Sequence, residues 1–243
     1  MPAPDARDVP ATRRTTWGLG DALVGMLAGV LLSSLAASAW LGATGRSDLT
    51  LVGQAISETG LWVGLVGAVV WASRRKGTGR LATDFGLRMR PIDMLGGAVV
   101  GLLSQVVLVN VVAFLLSPLV GHPDVSGPVN DLVKGAHGVG LWGLVAFVTV
   151  GAPVVEELFF RGLVLRSLQH RFPAAAAVPL SAVIFGLAHL QALSAAGLLV
   201  VIASLTALGA VLAVLAVRTG RLGPGMWAHA AFNAFTVAVL LLK

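Results

Sequence analysis

Glu156 and Glu157 stand side by side inside an apolar stretch, in the run Val155-Glu156-Glu157-Leu158-Phe159-Phe160-Arg161. A carboxylate placed in lipid costs about 2.5 to 3.5 kcal/mol on insertion scales, so an adjacent pair is rarely retained there without a task. His189, His229 and Asn233 are the other strongly polar groups set deep in apolar segments, and they fall on two further predicted helices. A carboxylate can take a proton from water, an imidazole can hold that water in line, and imidazole and amide donors can stabilise an oxyanion. These are the parts of a peptide-bond hydrolase.

Helical spacing divides the roles. Residues four apart share a helix face, whereas neighbours are rotated by about 100°. Glu157 and Arg161 are four apart in the order that favours an ion pair, so Glu157 is expected to neutralise Arg161 and orient the helix. Glu156 is then left for chemistry. His229 and Asn233 are also four apart and present two donors from one face, while Phe185 lies four before His189 and is expected to wall the site. The residue types Glu156, His189 and His229, completed by water, are equally an accepted donor set for zinc or another divalent metal. No His-Glu-x-x-His pair accompanies them, and the residues leave that choice open.

The elements that must position these groups are membrane helices. Of the 243 residues, 56% are hydrophobic and 12% charged, far from the balance of a soluble domain. Apolar stretches at about 20–43, 50–73, 92–118, 139–165, 174–190, 197–217 and 224–242 predict an all-α polytopic transmembrane bundle of about seven spans. With a cytoplasmic N-terminus, only Arg46, Lys134 and Lys243 of the 17 basic residues fall outside, which the positive-inside rule favours. The net charge of +6 is thus explained by topology, and no nucleic-acid partner is expected. Cysteine is absent, which excludes disulfides and thiolate chemistry. Glu156 and His189 are equidistant from the turn around Phe172-Pro173, which puts them at one depth on antiparallel helices, with His229 somewhat shallower.

Residues 1–16 read as a disordered cytoplasmic tail, 17–138 as a scaffold of three spans, and 139–243 as a catalytic core of four. Thr12-Arg13-Arg14 before the first apolar run superficially suggests a twin-arginine signal, but that run is long enough to span. Gly97 and Gly101 permit close helix packing. Asp84-Phe85-Gly86 matches a magnesium-holding tripeptide of kinases by coincidence, since nothing else of a kinase is present. Glu58 is assigned to the outer interface or to packing, outside the site.

Glu156-Glu157-Leu158-Phe159-Phe160-Arg161, Phe185-Gly186-Leu187-Ala188-His189 and His229-Ala230-Ala231-Phe232-Asn233 resemble, in order, the motifs of the CPBP family. That family comprises CAAX prenyl endopeptidases and bacteriocin-processing or bacteriocin-immunity proteins. Phe85-Gly86-Leu87-Arg88 is a further feature seen in many members. The resemblance implies an intramembrane endopeptidase whose site opens toward the cytoplasm, with Glu156 and His189 activating water and His229 and Asn233 forming the oxyanion pocket. It implies a membrane-associated peptide or protein as substrate. Members are commonly called metalloproteases; the expectation for this chain is a glutamate that suffices with no cofactor, zinc or another divalent ion being the alternative. The Ala-, Gly-, Val-, Leu- and Arg-rich composition suggests a GC-rich bacterium and hence a multi-pass inner-membrane location. A non-catalytic membrane adaptor or immunity protein, keeping the same polar cavity for binding, is the rival expectation.

Overall fold

The computed structural model describes residues 15–125, 130, 133–190 and 193–242. Of the tail expected over residues 1–16, only Thr15 and Thr16 fall within them, and the Thr16 amide donates to the Lys76 carbonyl at 2.8 Å. The described residues contain helices and no strand. Besides helical residues at 130 and 133–135, these are in chain order α1 (Leu19–Thr44), α2 (Leu51–Lys76), the short α3 (Leu81–Asp84), α4 (Pro91–Val120), α5 (Val139–Gln169), α6 (Ala174–Leu187), α7 (Ala195–Thr219) and α8 (Gly223–Leu241).

Six of these helices are long and apolar enough to cross a membrane, and the chain is a multi-pass membrane protein. The expected seventh span, 174–190, is shorter than its apolar stretch. α6 has 14 residues, about 21 Å of helix at 1.5 Å per residue, against roughly 30 Å of hydrocarbon. It stops because Ala188 and His189 turn out of the helix, the His189 amide bonding back to the Gly186 carbonyl at 3.1 Å. His189 therefore sits in a turn beyond α6 rather than on a helix.

Local chemistry sets the helix starts. Thr50 caps α2 by accepting from the Gly53 amide, and Ser194 caps α7 by accepting from the Gly197 amide. Pro91 occupies the first turn of α4, where its missing N–H is no loss, and Asp93 reaches back to accept from the Arg90 amide at 2.8 Å. Asp93 also holds Arg221, between α7 and α8, through a two-pronged ion pair with a closest approach of 2.6 Å.

That basic end is tied together by the segment before α4. Phe85 is fully buried in the main apolar cluster, and Gly86 takes φ +71°, a left-handed conformation that a side chain would strain. The Gly86 and Arg88 carbonyls accept from the Leu222 and Gly223 amides at 2.8 and 3.1 Å, so the segment pins the start of α8. Asp84 accepts from Ser73 Oγ at 2.5 Å and from the Thr78 amide at 3.0 Å, the work of a structural cap.

Two packings bring the remaining helices to the site. Gly97 and Gly101 lie against Pro224 and Ala228 on α8, so closely that a Cβ at either would strike the α8 backbone. The core then forms around α5, where Phe159, Phe160, Leu163 and Leu165 are each no more than 2% exposed and pack with Phe85, Phe185 and Leu222.

Candidate active site

α5 is irregular where its charged residues lie. Widened π-type turns at Phe147–Gly151 and Glu157–Val164 flank a five-residue α-helical piece, Ala152–Glu156. Such turns are rare and concentrate at functional sites. Pro153 explains part of this one. The Ala152 amide bonds to the Phe147 carbonyl, five residues back, and continuing that pattern would pair the Val148 carbonyl with residue 153. Proline has no N–H to give. Asn233 takes the place, its Nδ2 donating to the Val148 carbonyl at 2.9 Å. One amide hydrogen of Asn233 is thereby fixed and the other remains for a ligand.

Glu157 and Arg161 form the expected ion pair, Oε1 to Nη1 2.9 Å, with both side chains fully buried. Burying one of these charges alone would be strongly unfavourable, so each is held by the other. Arg161 also donates to the Gly209 carbonyl, and its guanidinium lies 4.0 Å from the centre of the Phe185 ring. Glu157 does more than neutralise Arg161, however. Its Oε1 lies 3.4 Å from His229 Nδ1, so both glutamates face the same imidazole. Helical spacing, by which neighbouring residues diverge by a full helical step, does not anticipate this.

Glu156 is where the histidines meet. His189 Nε2 lies 3.4 Å and His229 Nε2 3.8 Å from the same oxygen, Oε2 of Glu156, which has no hydrogen-bond partner of its own. His189 Nδ1 contacts the Phe185 carbonyl at 2.7 Å, one of the carbonyls left without a helical partner at the end of α6. A carbonyl can only accept, so Nδ1 carries the hydrogen and Nε2 of the neutral ring is an acceptor. Two acceptors 3.4 Å apart require something to donate between them: a shared proton, or a water giving one hydrogen to each.

Phe185 packs against both imidazoles. It is fully buried, with ring centroids 4.6 Å from His189 and 5.7 Å from His229, both edge-on. His229 is buried; the Glu156 and His189 side chains keep 16% and 25% exposure, but the Oε2 atom on which the histidines converge is itself buried. Glu156, His189 and His229 are thus brought into contact. Asn233 is on the same helix as His229 but bonds to Val148 and touches none of the other three directly. A separate open cavity of about 360 Å³ at the basic end, lined by Trp17, Asp84, Arg166 and His170 among others, contains none of the four.

Among the described residues no cluster of three or more His, Cys, Asp or Glu side chains is arranged to hold a metal ion. Glu156, His189 and His229 keep the residue types of a zinc set, and the catalytic reading runs through these side chains alone.

Glu58, expected outside the site, is a neighbour of it. It lies on α2, accepts from Trp62 Nε1 at 3.1 Å, and is close enough to Glu156 and His189 to interact with both electrostatically. The Glu58-x-x-x-Trp62 spacing is visible in the sequence, but nothing there says which neighbour this face of α2 meets.

Residues 138–235 match the family model described as type II CAAX prenyl endopeptidase Rce1-like. No curated protein and no solved structure matches the chain.

Proposed function

From the match of residues 138–235 to the type II CAAX prenyl endopeptidase Rce1-like model, we propose that the chain is a CAAX-type intramembrane endopeptidase in which Glu156 activates the attacking water. The observation that carries the reading is the convergence of His189 Nε2 and His229 Nε2 on the unpartnered Oε2 of Glu156.

A water held between Glu156 Oε2 and His189 Nε2 gives its proton to the carboxylate as its oxygen attacks the peptide carbonyl. The carbon becomes tetrahedral and its oxygen negative. The donors for that oxygen are the free amide hydrogen of Asn233, whose other hydrogen is fixed on the Val148 carbonyl, and His229 in the tautomer that carries its hydrogen on Nε2. When the C–N bond breaks, the proton taken by Glu156 passes to the leaving nitrogen, so the carboxylate is regenerated. The products are a carboxylic acid and an amine, and one water is consumed. No step needs a metal.

The substrate in this reading is a membrane-associated peptide or protein, because the reactive edge lies within helices that span the bilayer. We place the basic end, with Arg166 and Arg221, on the cytoplasmic side by the positive-inside rule, in a bacterial inner membrane. Residues 139–243 carry the chemistry, and 17–138 serve mainly as scaffold.

The test is a Glu156→Gln strain compared with its parent by membrane proteomics. The amide has nearly the same shape and cannot take a proton from water, so an uncut membrane-associated protein is expected to accumulate at normal levels of the variant. An unchanged proteome alongside correct insertion would support a binding protein instead.

A further inference from the structure

Glu58 is a carboxylate among membrane helices that neither the fold nor the proposed hydrolysis requires. α2 packs against α5, and the Trp62 indole stacks on Phe147 with centroids 4.1 Å apart and planes 14° from parallel. The same indole fills the notch left by Gly151, where a Cβ would come within 2.5 Å of the ring. Gly151 is five residues before Glu156. Trp62 is therefore fixed against the helix that carries Glu156, and its Nε1 donates to Glu58 Oε1.

No other side chain donates to Glu58 among the described residues, and no cation pairs with it. Arg161, the nearby positive charge, is already committed to Glu157 with both side chains fully buried. Glu58 is thus within electrostatic reach of Glu156 and of His189, and no guanidinium or ammonium is paired with it among the described residues. Packing would be served as well by glutamine, which can accept from the same indole without the penalty of a charge in lipid. The charge itself has a use only if something positive comes to it.

We propose that Glu58 is a specificity-determining residue, a carboxylate fixed by Trp62 that favours substrates with a cationic side chain beside the scissile bond. The assignment rests on the endopeptidase reading. In it Glu58 touches the substrate's lysine or arginine and takes no part in the proton transfers at Glu156.

The test uses the full-length protein in proteoliposomes and a peptide library made by cutting a bacterial proteome after glutamate, with cleaved bonds read by mass spectrometry. Wild type is expected to cut preferentially next to Lys or Arg. For a matched pair drawn from the cleaved set, differing only in Lys against Gln at that position, Glu58→Gln should lower kcat/KM for the Lys peptide about tenfold more than for its partner, mainly through KM. Glu58→Lys should reverse the preference toward acidic residues.

Equal losses for both peptides, or an unaltered preference, would overturn the assignment and leave the endopeptidase reading intact. Binding of the same pair to Glu156→Gln, read by fluorescence anisotropy, separates the two ideas further. Discrimination for Lys that disappears in Glu58→Gln/Glu156→Gln supports Glu58 even if wild type cuts nothing, whereas neither cleavage nor discriminating binding overturns both.

Discussion

Gly225 lies so close to Glu157 that a Cβ on it would come within 2.6 Å of Oε2. The contact joins the first turn of α8 to the middle of α5, and it lets one fully buried carboxylate reach both Arg161 and His229. Gly225→Ala should therefore act on the site although residue 225 carries no functional group. A loss of about 1 to 3 kcal/mol is expected from overpacking, read as a lower midpoint of thermal unfolding in detergent, together with a fall in kcat as His229 loses its support. Unchanged stability and activity would mean that Glu157 has room to move aside.

The Glu157–Arg161 pair gives a second prediction. Arg161→Met leaves a carboxylate at 0% exposure without its cation, and about 3 to 5 kcal/mol of destabilisation is expected. Removing both charges in Glu157→Gln/Arg161→Met should recover part of that loss. Stability measurements on the two single variants and the double one check this, and a double variant less stable than Arg161→Met would contradict it.

Asn233 and Pro153 are linked through the Val148 carbonyl. Replacing Asn233 by Ala or Asp removes the amide donor, and about 10²- to 10³-fold lower kcat is expected with insertion unaffected. Pro153→Ala returns an N–H that can compete for the same carbonyl. A smaller fall in kcat, with Asn233 less firmly held, is the expected outcome; equal activity in Pro153→Ala would show that the helix does not need the gap.

Gly86→Ala probes the tie between the segment before α4 and the start of α8. At φ +71° an alanine is strained by about 1 to 2 kcal/mol, and its Cβ would also crowd Arg166 and the Gly220 carbonyl. Lower thermal stability is expected, with the pH dependence of cleavage unchanged, because the site's own groups are untouched.

Removal of divalent ions tests whether Glu156 suffices as the base. Activity in proteoliposomes is expected to survive dialysis against a strong chelator. Loss on chelation, with recovery on adding zinc alone, would make Glu156, His189 and His229 metal ligands rather than groups that handle the water directly.

The charged run of α5, the His-Asn pair of α8 and the helical, membrane-spanning character of the chain are legible as sequence. Each depends on residue type and on spacings within a single helix, and those follow from the geometry of the main chain. Sequence goes astray where several segments decide together. The apolar stretch 174–190 looks like a full span because composition says nothing of the turn at Ala188 and His189, which places the imidazole nitrogens between the Phe185 carbonyl and Glu156. Glu58 looks peripheral because its neighbours are decided by which helix α2 meets.

The amino-acid order by itself determined that two carboxylates, one imidazole and an amide would be carried on helices long and apolar enough to cross a bilayer, since that character is dictated by hydropathy and length. Only the tertiary structure decided that Oε2 of Glu156 faces two imidazole nitrogens, that Glu157 serves both Arg161 and His229, and that Val148 anchors Asn233. Those relations arise from close packing between distant segments, at Gly101 on Ala228 and Gly225 on Glu157, and from the hydrogen bond that Pro153 leaves unmade. Hydropathy is local and additive, whereas packing and unpaired carbonyls take their meaning from what lies opposite.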